Sequence, residues 1–184
     1  MKNPAIVILL LLLFLTSNAF AQQQPYNGTP WPIPGQIEAE DYDKGGEGVA
    51  YHDDDAANSG GQYRTSEGVD IESCGEGGYN VGWMYAGEWI EYTVNVVEAG
   101  TYTIKVRTAS QPAEGGKFHL EFAGQNLTGT CSAPGTTDWQ QYVSVEIPGI
   151  LLSAGQQVMR LAVEVGNFNV NYLQFLPFLR LMKQ

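Results

Sequence analysis

The stretch TYTIKVRTA at residues 101–109 decides the fold class of this chain. Its apolar residues Tyr102, Ile104 and Val106 alternate with polar ones, and a period of two is typical of a strand with one buried face. Turn-forming clusters separate three more segments with this alternation, at residues 117–122, 139–147 and 157–165. Short alternating strands at this spacing, with almost no helical periodicity, predict an all-β chain folded as an antiparallel β-sandwich of the jelly-roll type.

Both ends of the chain are predicted to lie outside this sandwich. Residues 1–21 carry a lysine, an apolar run and an Ala-Phe-Ala pattern, which are typical of a cleaved signal peptide. We therefore expect a secreted protein with no membrane attachment after cleavage, the alternative being an uncleaved N-terminal anchor. Residues 22–33 are rich in Gln, Pro and Gly and are predicted to be a linker, so the module covers residues 34–176. Residues 177–184 form an apolar tail of unknown role.

The charge of the chain limits its partners. Twenty acidic residues against nine basic ones give a formal net charge of −11. Nucleic acids are bound largely through Lys and Arg contacts to phosphate, so this chain is not expected to bind them. The same balance disfavours anionic polymers, and neutral partners fit best.

Two cysteines, Cys74 and Cys131, are the only ones in the sequence. In an exported protein the simplest expectation is that they form one disulfide, and the alternative is a pair of buried free thiols. A zinc site is not expected, because two cysteines without a neighbouring histidine do not make a ligand set.

The main candidate for binding is the glycine- and aromatic-rich loop GYNVGWMYAGEW at residues 78–89. Trp83 lies between glycines in this loop, and Trp139 stands beside turn residues at the start of a later strand. Flat aromatic faces of this kind stack on the C–H face of a sugar ring, while polar neighbours bind its hydroxyl groups. The alternative is that both indoles belong to the core.

Five stretches in order along the chain resemble carbohydrate-binding module family 6 and its family 35 relatives, which are β-sandwich modules appended to secreted polysaccharide-degrading enzymes. They are IEAEDY at 37–42, YNVGWMYAGEWIEYTVNV at 79–96, GTYTIKVRTA at 100–109, TTDWQQ at 136–141 and NVNYLQF at 169–175. The resemblance implies that Trp83 and Trp139 clasp one sugar, which Asn171 hydrogen-bonds. Asn171 shares strand parity with Leu173 and Phe175, which places it at the end of an inward-facing row.

The long segment 45–78 departs from the strand pattern, and its residues 51–71 exceed what the shortest members of that family contain. A long connection in a compact domain is often functional. Tyr51, Asp53 and Tyr63 are therefore further candidates for sugar contacts. The alternative is that the aspartates of this segment form a solvated acidic turn.

The resemblance also implies a structural calcium ion. Glu38 and Glu40 are two residues apart in the predicted opening strand and so point to the same face. Gln174 is a candidate for a further oxygen ligand from the last strand, and calcium prefers several oxygen ligands. The alternative is that both glutamates are solvated surface residues.

Together these patterns predict non-catalytic binding of a neutral polysaccharide, for which agarose-like galactan, β-1,3-glucan and xylan all fit. One site is expected to bind weakly, which favours a partner such as a glycoside hydrolase domain on another chain. A secreted structural or adhesive domain without sugar affinity is the second hypothesis. A glycoside hydrolase is the third, although Glu88 and Glu91 have opposite strand parity and so would not face each other as such an enzyme requires.

Overall fold

The computed structural model describes residues 22–178, which form two β-sheets around one shared core. The strands are β1 Trp31–Ile33, β2 Gly35–Glu38, β3 Tyr51–His52, β4 Ile71–Ser73, β5 Tyr79–Val81, β6 Trp89–Val96, β7 Gly100–Ala109, β8 Gly116–Phe122, β9 Gln125–Asn126, β10 Cys131–Ala133, β11 Val143–Leu152, β12 Gly155–Val165 and β13 Asn169–Pro177. One turn of 3-10 helix, Ala39–Asp41, follows β2. Between residues 22 and 178 no helix has the length and apolar character needed to cross a membrane.

The two sheets are built from strands that are mostly distant in sequence. One sheet has the order β1–β6–β12–β8–β10, with β3 beside β6 and β9 beside β8. The other has the order β11–β7–β13–β5–β4, with β2 beside β13. Apart from the parallel pair β1–β6, the neighbouring strands of these sheets are antiparallel. The prediction of an all-β antiparallel sandwich is confirmed.

The residues that alternate in the sequence fill the space between the sheets. Tyr102, Ile104 and Val106 of β7 are at most 3% exposed. Burying such side chains removes apolar surface from water, which is the main force that holds two sheets together. Phe118 and Phe168 pack with their ring centroids 5.7 Å apart, which joins β8 to the turn before β13.

The predicted linker at residues 22–33 is instead part of the fold. Trp31–Ile33 pair with Val94–Val96 of β6, and Ile33 is fully buried. Further upstream, Gln24 and Lys44 exchange two backbone hydrogen bonds of 2.9 and 2.8 Å. The linker prediction was wrong because a strand of three residues is too short to show an alternating pattern.

The predicted disulfide is not formed, and both cysteines are free thiols. Cys74 lies just after the edge strand β4 of one sheet, where it packs with Ala109 and Tyr142. Cys131 belongs to β10, an edge strand of the other sheet, and is paired with Phe118 of β8. The alternative of two buried free thiols holds for Cys74, whereas the free thiol of Cys131 is only half-buried.

The ends of the chain fall partly outside the described residues. The predicted signal peptide 1–21 lies outside them, as do residues 179–184 of the predicted tail. The first residues of that tail belong to the sheet, because Pro177 ends β13 and the backbone N–H of Phe178 donates to the carbonyl of Thr101 at 2.8 Å.

Candidate functional site

A cleft of about 230 Å³ opens at the end of the sandwich where β6, β11 and β13 begin. It is smaller than the roughly 300–1,000 Å³ of pockets that enclose a whole small molecule, so it suits a short part of a larger ligand. The residues that line it come from β4, the β5–β6 loop, the β10–β11 loop, the β12–β13 turn and the first residue of β13: Glu72, Trp83, Met84, Tyr85, Trp139, Asn167, Phe168 and Asn169.

Trp83 stands on an unusual backbone at the mouth of this cleft. Its side chain is 45% exposed, and its φ of 48° lies in the left-handed region that bulky residues rarely adopt. Strain of this kind, of order 1–3 kcal/mol, persists where the surroundings fix the chain, and it is concentrated at functional sites. Here the N–H of Gly82 donates to the carbonyl of Asp70 at 3.0 Å, so the loop is held to a neighbouring segment.

Gly166 allows this loop to sit where it does. A Cβ added at Gly166 would lie 2.1 Å from the carbonyl oxygen of Met84 and 3.2 Å from the Cα of Tyr85. Only a residue without a side chain permits so close an approach of two backbones. The exposed ring of Trp83 is therefore positioned by packing of the β5–β6 loop on the β12–β13 turn.

Trp139 lines the same cleft from the β10–β11 loop and is half-buried. The loop is anchored at Thr136, whose N–H donates to the carbonyl of Ser110 at 2.7 Å and whose Oγ1 accepts from the Ser110 N–H at 2.9 Å. The Trp139 carbonyl accepts a hydrogen bond from Asn169 Nδ2 at 3.0 Å. The structure thus brings together the two indoles that the sequence singled out.

The asparagine in the cleft is Asn169 rather than the predicted Asn171. The side chain of Asn171 is 4% exposed and donates through Nδ2 to Glu76 Oε2 at 3.0 Å, outside the cleft lining. The parity argument failed because the pairing of β13 with β7 shifts between Val170 and Leu173. A β-bulge inserts one extra residue, so the alternation of side chains between the two faces of the sheet is not continuous across it.

Sequence reasoning selected two of the eight residues that line the cleft, and Glu72, Tyr85 and Asn169 are among the six that it missed. Tyr85 is 55% exposed and follows Trp83 by two residues in the same loop, which is the signal that could have identified it. Asn169 stands two residues before the asparagine that was chosen. Glu72 belongs to a strand of three residues, and nothing in the pattern around it marks it for a site.

Tyr51 and Tyr63, two predicted contacts from the long segment, do not line the cleft. Tyr51 is 5% exposed, and its hydroxyl accepts a hydrogen bond from the N–H of Gly68 at 3.1 Å. Tyr63 is 41% exposed, but its hydroxyl donates to Asp41 at 2.7 Å and its ring packs on Tyr79 with the centroids 4.8 Å apart. Both tyrosines hold the long segment to the sandwich.

Asp53, the third predicted contact of that segment, lies in an acidic cluster outside the cleft. Burial, reinforced by the charges of Glu88, Asp70 and Asp55, raises the pKa of Asp53 to about 7. Burial likewise raises the pKa of Asp70 and that of Glu88. Within this acidic run Asp53 is half-buried, whereas Asp54 and Asp55 are exposed, so the solvated turn describes part of the run.

The raised pKa of Asp53 has a consequence for stability. An aspartate in an unfolded chain has a pKa of about 4, so between pH 4 and pH 7 the folded protein binds more protons than the unfolded one. The free energy of unfolding should then fall as pH rises across this range. We expect Asp53→Asn to reduce this fall, as measured by urea unfolding at several pH values, whereas the exposed control Glu114→Gln should keep it. An unchanged pH dependence in Asp53→Asn would contradict the assignment.

The predicted metal ligands Glu38 and Glu40 are not on one face of a strand. Strand β2 ends at Glu38, and Glu40 lies in the 3-10 helix, which turns its side chain inward to 5% exposure. Glu40 Oε1 accepts a hydrogen bond from the N–H of Tyr79 at 3.2 Å, and its buried Oε2 has no partner among residues 22–178. Burial, with a contribution from the charge of Glu38, raises the pKa of Glu40 to about 7.

These groups fit a hard cation in part. A buried carboxylate oxygen without a partner, beside a second carboxylate, matches the oxygen chemistry that calcium prefers. Gln174 lies on the same face as Glu38, since it pairs with Gln36 while Tyr172 pairs with Glu38. Gln36 already donates to Glu38 Oε1 at 2.9 Å. Across residues 22–178 no group of three or more His, Cys, Asp or Glu side chains forms a metal site by itself.

The acidic residues considered for catalysis, Glu88 and Glu91, form hydrogen bonds or ion pairs outside the cleft. The two carboxylate oxygens of Glu88 accept backbone hydrogen bonds from Tyr85 at 2.8 Å and Asp54 at 3.1 Å. Glu91 forms an ion pair with Arg160 at 2.7 Å. Among the residues that line the cleft, Glu72 is the one carboxylate, so a facing pair of the kind glycosidases use is not present there.

Comparison with known proteins identifies the family of this chain. The family model "Carbohydrate binding module (family 6)" matches residues 60–177. The C-terminal family 6 module of LamC, a marine laminarinase from Zobellia galactanivorans, is 31% identical, with 77% of this chain and 97% of that one covered and a TM-score of 0.61. The module CBM6cm-2 of lichenase 5A from Cellvibrio mixtus, solved with cellotriose, is 29% identical, with coverage of 77% and 95% and a TM-score of 0.58.

A curated relative is an enzyme of which this chain matches only a part. Beta-agarase AgaA of Microbulbifer thermotolerans is 30% identical over 91 residues, which are 50% of this chain and 21% of that protein. The match therefore spans about a fifth of the length of the agarase. The family match extends over more than half of the present chain and includes both tryptophans of the cleft. The chain belongs to carbohydrate-binding module family 6, a family of non-catalytic modules that bind carbohydrates.

Proposed function

We propose that this protein binds a neutral polysaccharide at the cleft and catalyses no reaction on it. Trp83 and Trp139 stack on the sugar, and Glu72 and Asn169 hydrogen-bond its hydroxyl groups. The observation that supports this most strongly is the exposed indole of Trp83, which a left-handed backbone holds beside a second indole and an oriented carboxamide.

The chemistry of the cleft matches the two kinds of surface that a sugar ring presents. Slightly positive C–H groups stack on the electron-rich faces of aromatic rings, and directed polar groups pair with hydroxyls. Tyr85 is 55% exposed beside Trp83, so it supplies a third ring for a neighbouring sugar of the same chain. We therefore expect oligosaccharides to bind more tightly than the corresponding monosaccharide.

The relatives narrow the choice of polysaccharide. One similar module belongs to a laminarinase, another was solved with cellotriose, and the agarase relative is an enzyme for agarose. A family 6 module from Clostridium cellulolyticum, 25% identical, was solved with xylose, with 79% of this chain and 98% of that one covered and a TM-score of 0.58. We propose β-1,3-glucan or an agarose-like galactan first, with xylan as the remaining candidate.

Retention on insoluble polysaccharide tests this proposal. The protein is mixed with agarose, curdlan and insoluble xylan, and the amount left in the supernatant is measured against albumin as a control. We expect depletion by at least one of the three. If none of them, nor any neutral oligosaccharide on a glycan array, retains the protein, the proposal fails and the structural or adhesive function is favoured. Release of reducing ends above background would instead support the hydrolase hypothesis.

We propose that calcium, when bound, is held by the carboxylates of Glu40 and Glu38, with Gln174 as a further oxygen donor from β13. The ion would neutralise two negative charges and supply the partner that Glu40 Oε2 lacks. Export of the protein, and a catalytic partner domain on another chain, are proposed on the sequence alone.

Thermal unfolding in excess calcium and in EDTA tests the metal proposal. A ligand present at about 100 times its Kd stabilises a folded protein by about 2.7 kcal/mol, which for a domain of this size raises Tm by about 5–10 °C. Glu40→Gln should lose this calcium effect, and the exposed control Glu98→Gln should keep it. An identical Tm of the wild type in calcium and in EDTA would contradict the proposal.

A further inference from the structure

The carboxamide of Asn169 is held in one orientation by its surroundings. Its Nδ2 donates to Glu72 Oε1 at 3.0 Å and to the carbonyl oxygen of Trp139 at 3.0 Å. A carboxylate and a carbonyl can only accept, so the nitrogen and not the oxygen must face them. Both N–H groups of Asn169 are thereby used, and its Oδ1 is the atom left for a ligand.

The absence of a side chain at Gly82 leaves room for that oxygen. A Cβ added at Gly82 would lie 2.8 Å from Asn169 Oδ1, closer than a carbon atom is normally tolerated. The amide oxygen therefore approaches the backbone of the loop that carries Trp83. This places the acceptor next to the stacking surface.

Glu72 lies beside Asn169 in the floor of the cleft and accepts hydrogen bonds from the neighbouring side-chain amides. Its Oε1 accepts from Asn80 Nδ2 at 3.3 Å and from Gln140 Nε2 at 2.8 Å, besides Asn169. Gln140 Nε2 also donates to Asn80 Oδ1 at 3.3 Å. Glu72 Oε2 accepts no hydrogen bond from residues 22–178 and is not among their fully buried unpaired atoms, so it is accessible from solvent.

We infer that the floor of the cleft, formed by Glu72 and Asn169, presents only hydrogen-bond acceptors and therefore selects sugars with free hydroxyl groups. A hydroxyl donates to Glu72 Oε2 or to Asn169 Oδ1, whereas an O-methyl, sulfate or carboxylate group at the same position offers no proton. Anionic groups are also repelled, because no lysine or arginine lines the cleft to balance the Glu72 carboxylate. The exposed residues Tyr85 and Asn167 form the rim of the cleft, above this floor.

This selectivity rests on the proposed function and deepens it by naming the class of sugar. With this selectivity, the cleft binds the unmodified forms of a galactan or a glucan and does not bind their sulfated or methylated forms. An acceptor floor also differs from the sites that bind anionic sugars, which supply arginine or lysine side chains.

Calorimetric titration with matched ligands tests the inference. The wild-type protein is titrated with neutral laminarin and agaro-oligosaccharides, then with their chemically sulfated and O-methylated derivatives. We expect the derivatives to bind at least tenfold more weakly, a difference of about 1.4 kcal/mol. High salt should reduce the penalty for sulfate, because it screens charge, and should leave the penalty for O-methyl unchanged.

Glu72→Gln supplies the matched variant, since glutamine keeps the shape, removes the charge and adds a donor. We expect the ratio of neutral to sulfated affinity to fall at least threefold in Glu72→Gln. Glu47→Gln removes one charge outside the cleft and should leave the ratio unchanged. If the wild type binds neutral and sulfated ligands equally, the inference is wrong while the proposed function stands. If it binds no neutral glycan, both are wrong.

Discussion

Replacing Trp83 by alanine is expected to weaken binding of the cognate polysaccharide at least thirtyfold, or about 2 kcal/mol. A central, well-packed aromatic ring contributes this much at binding sites where a few residues dominate the affinity. Trp139→Ala should have a similar effect, because a sugar held between two rings loses half of its stacking surface when either is removed. Calorimetry on the folded variants measures both losses.

The control for this experiment is Tyr63→Ala. Tyr63 is 41% exposed, comparable with the 45% of Trp83, but it stands outside the cleft. We expect its removal to leave affinity within twofold of the wild type. Circular dichroism and Tm establish that each variant is folded. Unchanged affinity in both tryptophan variants would show that sugar binding takes place elsewhere or not at all.

The second large effect is expected for Gly166→Ala. The new Cβ would lie 2.1 Å from the Met84 carbonyl oxygen, and backbone atoms cannot move away as a flexible side chain would. Overpacking of this kind destabilises a protein by about 1–3 kcal/mol, which corresponds to a fall in Tm of about 2–12 °C. Because the displaced loop carries Trp83, polysaccharide binding should fall together with stability.

Gly100→Ala is the matched control for that substitution. A Cβ at Gly100 meets no atom within 4 Å, and the residue does not have a left-handed backbone. The free energy of unfolding of the Gly100→Ala variant should stay within about 0.5 kcal/mol of the wild type, as for most surface changes. If Gly166→Ala kept both its Tm and its affinity, packing on Gly166 would not be what positions the loop.

The sandwich could be predicted from sequence because alternation is a direct consequence of strand geometry. In β7, Ile104 and Val106 are buried while Lys105 and Arg107 are not, as the period of two requires. The same rule failed where the geometry departs from a regular strand. Because β13 contains a bulge, Asn169 and not Asn171 lines the cleft. Because the chain forms a 3-10 turn after Glu38, Glu40 does not lie on the predicted face of the strand.

The aromatic part of the site was predictable, whereas its polar part was not. Trp83 and Trp139 carry a local signal, since each is a large ring beside turn residues. Glu72 carries none, because its role arises from partners that are distant in sequence: Gln140 lies 68 residues away and Asn169 lies 97 residues away. Such a network exists only once folding has brought β4, β13 and the β10–β11 loop together.

The central claim is that Trp83 and Trp139 together hold the sugar, and the indole N–H resonances test it most directly. The protein has four tryptophans, so a ¹H–¹⁵N spectrum gives one indole signal for each, assigned through single Trp→Phe variants. On titration with a neutral oligosaccharide that the protein binds, we expect the signals of Trp83 and Trp139 to shift and saturate together, while those of Trp31 and Trp89 stay in place. Shifts confined to Trp31 or Trp89, with Trp83 and Trp139 unmoved at saturation, would contradict the account.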